Sequence, residues 1–490
     1  MAFNSIQFII FLPIVVLLYY VIPKKVRYIW LLLASYFFYM CWNAKYAVLI
    51  LTSTLITYFC ALGVEKFEEV SKKKLFVVLG LVSNLGIFFF FKYTNFAIEI
   101  ISKVFMKAHV ELNLPTVDVL LPVGISFYTF QALGYMIDVY RGECKAERNF
   151  LRYALFVSFF PQLVAGPIER SKNLLSQLKE DRRFDFEKAR DGVLLILWGF
   201  FLKLVLADRM AMFVDGVYGD LQTFGGWYVV IATVLFGLQI YCDFYGYSMI
   251  ATGSAKLLGI DLMENFNAPY FSTSVGDFWR RWHISLTSWF KDYLYVPLGG
   301  SRKGTFRKYL NKMIVFLVSG LWHGASFAYV FWGGLNGLYQ VVGEILTPFR
   351  KKVRAVLHFD ETTLGYKLVA GLLTFVMVDF SWLFFRAGSL SVAKEALTQM
   401  FTVKNPWILT DMTLYGCGLD QRNFILLMAC ILVLVVADIC KVKGVAIREV
   451  ITKQDPVIRW ILIAFFVTFI MIFGIYGPQY EAANFVYFQF

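Results

Sequence analysis

Charge is what this sequence has least of. Only 17% of its 490 residues are Asp, Glu, Lys or Arg, against about 25% in an ordinary soluble domain. With 59% hydrophobic residues, that scarcity excludes a soluble globular domain. Cysteine is thinly spread: seven residues, mostly within apolar runs and with no C-x-x-C pair, which argues against a cysteine zinc site or a disulfide framework. There is no G-x-S-x-G elbow, Walker loop, H-E-x-x-H helix or dinucleotide fingerprint, so metal hydrolysis and nucleotide-driven transport lose their usual signatures. Tandem repeats and low-complexity tracts are missing too. The longest polar stretch, Ser171 to Asp191, is one amphipathic helix long and too short for a domain. The N-terminus has no basic region and no A-x-A site, so its first apolar run is expected to stay as a span and not to be cleaved.

What the chain has is apolar length. Runs near the length that crosses about 30 Å of hydrocarbon fall at 5–22, 28–43, 45–64, 75–92, 118–140, 191–207, 227–247, 311–327, 328–346, 366–386, 423–440 and 457–476. The expectation is an all-α polytopic membrane protein, one domain over 1–490 with its core at 118–346. It has about 11–12 transmembrane helices plus re-entrant or interfacial ones, and a small cap over 388–423. The net charge of +13 sits in short clusters such as Lys72 to Lys74 and Arg350 to Arg354. Those clusters orient the chain, cations inside and both termini outside, and imply no nucleic acid. Two inner segments are too apolar for loops. Phe150 to Ile168, broken by Pro161, Gly166 and Pro167, is either a re-entrant segment lining a cavity or an interfacial helix. Phe271 to Tyr295 carries Trp279, Trp282, Trp289, Tyr293 and Tyr295, rings suited to the headgroup level.

Two of the four histidines bracket one segment. His323 stands in an apolar run, between Trp322 and Gly324, with Ser319, Gly320 and Ser326 nearby. An ionisable residue at membrane depth is a functional candidate, and a neutral imidazole can take and return a hydroxyl proton; a packing histidine is the alternative. His283 follows Arg280 and Arg281, so a continuous helix would put Arg280 and His283 on one face. That set serves either a phosphate-bearing donor or anionic lipid headgroups. Asp243, among tyrosines, could orient a histidine or a hydroxyl or serve a neighbouring helix. Asp379 and Arg386 are expected to form an interfacial pair. His109 and His358 have no assigned role.

Several stretches jointly carry a resemblance. They are Pro122 to Gln131 with Asp138 to Gly142, Phe160 to Arg170, Gln239 to Ser248, Asp277 to Ser301, Gly320 to Ala325 and Trp382 to Ala387. The chain resembles the membrane-bound O-acyltransferase family, in its bacterial alginate O-acetyltransferase branch. The resemblance implies a funnel around a central catalytic His323 with His283 as the signature's second histidine. Trp279, Arg280, Arg281, Trp282 and Trp322 would then be donor-side residues, with Asp243 and Gln131 as supporting polar groups. It further implies acetyl-CoA or another acyl thioester as donor substrate, with no permanently bound cofactor and no metal. The setting would be a bacterial plasma membrane, with membrane lipid, an extracytoplasmic SGNH-type or esterase-like partner and a polysaccharide synthase complex as associates. The tail over 477–490 resembles the aromatic C-terminus of this branch, and Tyr487 there either relays the acyl group or anchors the tail at the interface. D-alanyl transfer, lipid or protein acylation, and non-enzymatic transport are the alternatives; transport would call for inverted repeats, which are not evident.

Overall fold

The computed structural model describes residues 1–110, 115–117, 122–164 and 166–476. The tail with Tyr487, and the first residues of the run expected at 118–140, lie outside the described residues. All described secondary structure is helical. Each of the expected apolar runs falls on a helix: α1 (Ile6–Val21), α2 (Arg27–Met40), α3 (Tyr46–Lys66), α4 (Val70–Lys107), α5 (Ile125–Tyr140), α8 (Phe186–Phe200), α10 (Trp227–Leu257), α13 (Thr305–His323), α14 (Phe327–Ile345), α16 (Leu364–Ala387), α18 (Gln421–Val442) and α20 (Pro456–Phe473). Of these, α3, α4, α10, α16, α18 and α20 are long and apolar enough to cross a membrane on their own measure. Shorter helices lie between: α6 (Phe150–Ser158), α7 (Phe160–Leu163), α9 (Asp208–Gly219), α11 (Val275–Arg281), α12 (Ile284–Phe290), α15 (Thr347–Leu357), α17 (Leu390–Thr402) and α19 (Ile447–Thr452). Side-chain oxygens of Ser5, Asn149, Ser274, Ser326, Thr363, Ser389, Asp420 and Asp455 accept backbone N–H groups at helix starts, which sets where those helices begin.

The chain forms two compact units, residues 1–196 with 248–263 and residues 197–247 with 264–490. In the first, Cys60, Leu133 and Met136 pack α3 against α5. The broken segment after Phe150 is inside this unit and not at an interface: Tyr153 through Val157, Phe159 and Phe160 are each at most 2% exposed. Its helix breaks at Phe159, and the backbone groups freed there are covered by protein. Gln131 Nε2 donates to the Phe156 carbonyl at 2.6 Å, Gln162 Nε2 donates to the same oxygen at 3.0 Å, and the Phe160 N–H donates to Ser35 Oγ at 3.1 Å. Non-helical backbone survives at membrane depth under this condition.

The second unit holds both histidines of interest. Following α8, the chain passes through a π-helical stretch, Phe201–Ala207, into α9. Lys203 on that stretch pairs with Asp208 at 2.8 Å and Asp243 at 2.6 Å, all three side chains at most 2% exposed. Helices α13 and α14 form an antiparallel hairpin whose backbones meet at glycine. A Cβ on Gly320 would collide with the Tyr329 carbonyl, and one on Gly333 with the Phe316 carbonyl. The expected cap is a folded element: α17 and two 3₁₀ turns, Pro406–Leu409 and Thr413–Gly416. It is tied down where Asn405 accepts the Trp227 N–H at 2.9 Å and donates to the Gly225 carbonyl at 3.2 Å. Asp379 and Arg386 do not pair. Arg386 reaches Asp215 at 2.7 Å, with its guanidinium over the Tyr218 ring, and Asp379 is buried on the α16 face that meets Gly237.

Two outcomes follow from this packing. Gly320→Ala and Gly333→Ala should each lower stability by about 1–3 kcal/mol through overpacking against rigid backbone, despite alanine's better helix propensity. Gly86→Ala on α4, which has open space around it, should be neutral or stabilising; thermal melts in detergent compare the three. Lys203→Met strands two buried carboxylates and should cost about 3–5 kcal/mol, seen as loss of the monodisperse folded peak. The triple variant K203M/D208N/D243N should recover much of it.

Candidate active site

His323 is the last residue of α13, and its ring is 5% exposed. Three aromatic rings enclose it edge-on: Trp322 at 4.9 Å, Trp332 of α14 at 5.1 Å and Phe385 of α16 at 5.3 Å between centroids. These separations lie in the range where edge-to-face pairs are favourable. The chain can turn immediately after His323 because Gly324 takes an extended conformation there. A side chain on Gly324 would enter the Tyr329 ring. Ser326 then caps α14 and donates its hydroxyl to the Gly388 carbonyl at 2.6 Å, tying the turn to the end of α16.

His283 comes to the same cluster by a different route. Helix α11 stops at Arg281, Trp282 is extended, and His283 adopts a left-handed conformation with φ 43° and ψ 55° before α12 begins. Such a conformation is uncommon outside glycine, so neighbouring structure has to impose it. The segment around Asn265 does so. The Asn267 N–H donates to the Arg281 carbonyl at 3.0 Å, the Ile284 N–H donates to the Asn265 carbonyl at 2.9 Å, and Ser285 Oγ donates to Asn265 Oδ1 at 2.6 Å. The kink turns the imidazole inward, to 1% exposure, against Phe244 of α10 at 4.6 Å and Trp322 at 6.0 Å. The Trp322 indole therefore contacts both imidazoles.

The same break corrects the expectation that Arg280 and His283 share a helix face. Arg280 points out, its side chain 73% exposed and near Asp277 at 3.4 Å, while Arg281 pairs with Asp277 at 3.0 Å. The tryptophans expected at the headgroup level are inside the protein: Trp279, Trp282 and Trp289 are 7%, 1% and 8% exposed. Trp279 donates its indole N–H to Asn336 Oδ1 at 3.3 Å. Trp282 stacks on Phe278 and meets Trp382 at 5.1 Å, and Trp382 in turn stacks on Trp332 at 5.5 Å. Asp243 faces Lys203, and Gln131 braces the broken helix of the first unit.

Sequence reasoning missed three residues. Asn336, fully buried, receives Trp279 and donates to Ser381 Oγ at 3.2 Å; an amide inside the run after Gly333 was its signal. Lys203, a lone cation in an apolar run, was equally visible. Asn265 acts only through the tertiary pairing across the kink and had no local signal. A cavity of about 770 Å³ opens in the second unit between α14, α15 and α16, and none of the predicted site residues lines it.

Comparison with known proteins identifies the family. The membrane-bound O-acyltransferase family profile matches residues 147–377, which include both histidines. A probable alginate O-acetylase, AlgI, of Pseudomonas putida is 37% identical over 416 residues, covering 84% of this chain and 82% of its own. The peptidoglycan O-acetyltransferase of Helicobacter pylori is 34% identical over 432 residues, covering 82% and 80%. The teichoic acid D-alanyltransferase of Bacillus subtilis is more distant, at 26% over 300 residues, covering 57% and 72%. With that identity running over most of both chains, the protein belongs to the membrane-bound O-acyltransferase family, in the branch of the alginate O-acetylases, and is an O-acyltransferase.

Proposed function

We propose that this protein takes an acetyl group from acetyl-CoA at its basic, cytoplasmic side and passes it across a bacterial plasma membrane for O-acetylation of a cell-surface polysaccharide. The observation that carries the reading is the placement of His323, buried in an aromatic enclosure at a helix end and linked through Trp322 to a second buried imidazole. Relatives named for alginate and peptidoglycan acetylation support the acetyl group and the glycan. D-alanyl transfer from a carrier-protein thioester is the second reading, favoured by the teichoic acid relatives at lower identity and shorter overlap.

In the proposed reaction the acceptor hydroxyl gives its proton to His323 and its oxygen attacks the thioester carbonyl. A C–O bond forms, the C–S bond breaks, and the proton returns from His323 to the departing thiolate of coenzyme A. A base of this kind is typically worth about 10²–10⁴ in rate. Enclosure by rings keeps bulk water from competing as acceptor. Arg280, exposed beside the kink, would meet the phosphates of the donor. The acceptor is Tyr487 or a serine of an extracytoplasmic SGNH-type partner, working with a polysaccharide synthase complex.

His323→Ala should fold normally and lose acetyl transfer from labelled acetyl-CoA by at least about a hundredfold; transfer at the wild-type rate would remove His323 from the chemistry. At His283, glycine accepts the left-handed backbone whereas alanine carries a penalty of about 1–2 kcal/mol. His283→Gly should therefore melt at or above His283→Ala, while both lose transfer; an active glycine variant would reduce His283 to a bend. Tyr487→Phe should abolish glycan acetylation in cells if the tail relays the group, and acetylation at the wild-type level would leave the partner's serine as the direct acceptor.

A further inference from the structure

The 770 Å³ cavity is built like a lipid site. One wall is a stripe of α16: Val369, Ala370, Leu373 and Met377, spaced to lie along a single helix face. From Tyr366 at the mouth to Met377 at the floor, both lining residues, the rise is about 16 Å at 1.5 Å per residue. That is close to the half of about 30 Å that one leaflet of acyl chain fills. Val369 and Leu373 are each 61% exposed, so the wall is open to the membrane.

The mouth has the opposite character. Thr347, Arg350 and Asp360 line it. Of the two carboxylates in the lining, Glu344 receives both Lys308 and Lys312, and Asp360 accepts the N–H and hydroxyl of Thr362 while keeping its charge. Arg350 donates to the Gly343 carbonyl and to Thr347 Oγ1, and no carboxylate pairs with it among the described residues. Arg350 also begins the basic stretch Arg350, Lys351, Lys352 and Arg354 of α15, a helix that exposes Phe349 and Val356 at 64% and 75%. An amphipathic basic helix of this kind lies at a membrane surface and gathers anionic headgroups.

We infer that this cavity binds one anionic diacyl glycerophospholipid, its phosphate at Arg350 and an acyl chain along Val369, Leu373 and Met377. The Arg350 guanidinium, which pairs with no carboxylate among the described residues, and the leaflet depth of the wall select that occupant. A zwitterionic lipid brings no net charge to the mouth, and a soluble anion leaves the wall uncovered. The floor lies one helical turn from Ser381, whose hydroxyl receives Asn336. The lipid thus fills the gap between α14 and α16 just beyond the point where they join, bracing the two helices that supply Trp332 and Phe385 to His323.

The test uses the full-length protein purified in detergent, with dioleoyl phosphatidylglycerol and dioleoyl phosphatidylcholine as probes, read by native mass spectrometry and thermal melting. Phosphatidylglycerol should give a retained one-to-one adduct and raise the Tm, and phosphatidylcholine should do neither. Arg350→Gln and Leu373→Trp, both at exposed positions, should each weaken the adduct by about tenfold, the scale of one charge-assisted hydrogen bond or one lost apolar contact surface. Equal retention of both lipids, or wild-type binding by both variants, would overturn the inference. So would the same Tm rise with glycerol phosphate, which marks a plain anion site. Displacement of phosphatidylglycerol by coenzyme A would likewise reject it, by assigning the cavity to the donor.

Discussion

Where two helices carry glycine at the point of crossing, their backbones meet directly, and the spacing is set by main-chain atoms that cannot retreat. Gly320 against the Tyr329 carbonyl and Gly333 against the Phe316 carbonyl fix α13 and α14 in that way. Everything around His323 inherits the constraint. The hairpin brings Trp332 to the imidazole, the turn at Gly324 admits the Tyr329 ring, and Ser326 ties the turn to Gly388. In a membrane, where lipid is as apolar as the helices, small-residue contact of this sort is a main source of helix association. It is also precise to a fraction of a side chain, which a catalytic imidazole requires. The same device recurs between α8 and α10, where Gly192 meets Gly253 in one unit and Gly199 meets Gly246 in the other.

His283 depends on a second kind of constraint, a backbone conformation that its own residue type disfavours. Left-handed residues of this sort cost about 1–3 kcal/mol and persist only where the surroundings over-determine them. Here the surroundings are the reciprocal hydrogen bonds across Arg281, Ile284, Asn265 and Asn267. The kink separates what a straight helix would have kept together: the guanidinium of Arg280 stays in solvent and the imidazole goes to the interior. A polar, charged surface and a dry interior are thus reached from adjacent residues, a useful division for a segment proposed to receive an anionic donor outside and present its thioester inside.

How far the sequence discloses this depends on the range of each interaction. Apolar length is local, so the helices were legible, six of them long and apolar enough to cross a membrane, and so was the broken segment after Phe150, because proline and glycine act on their own backbone. Its burial was not legible, since that rests on Gln131, Gln162 and Ser35 from distant positions. The two histidines stood out as ionisable groups in an apolar or aromatic setting. Their shared contact through Trp322 did not, because the break at Trp282 is imposed by Asn265 and no residue between Arg280 and His283 signals a helix end. The tryptophans misled for a related reason. Ring amphipathicity fits an interface and a protein core equally well, and the choice is made by partners such as Asn336 that composition does not reveal.

The commitment of Asp243 bears most on the chemistry. A carboxylate near the site is the natural orienter for an imidazole, as the third member of a triad is. Asp243 instead faces Lys203 at 2.6 Å, and an ion pair at membrane depth is costly to open. That pair holds α10 to the π-helical stretch before α9. What α10 offers His283 is the next residue, Phe244, edge-on at 4.6 Å. An aromatic edge helps to fix the ring's attitude by shape.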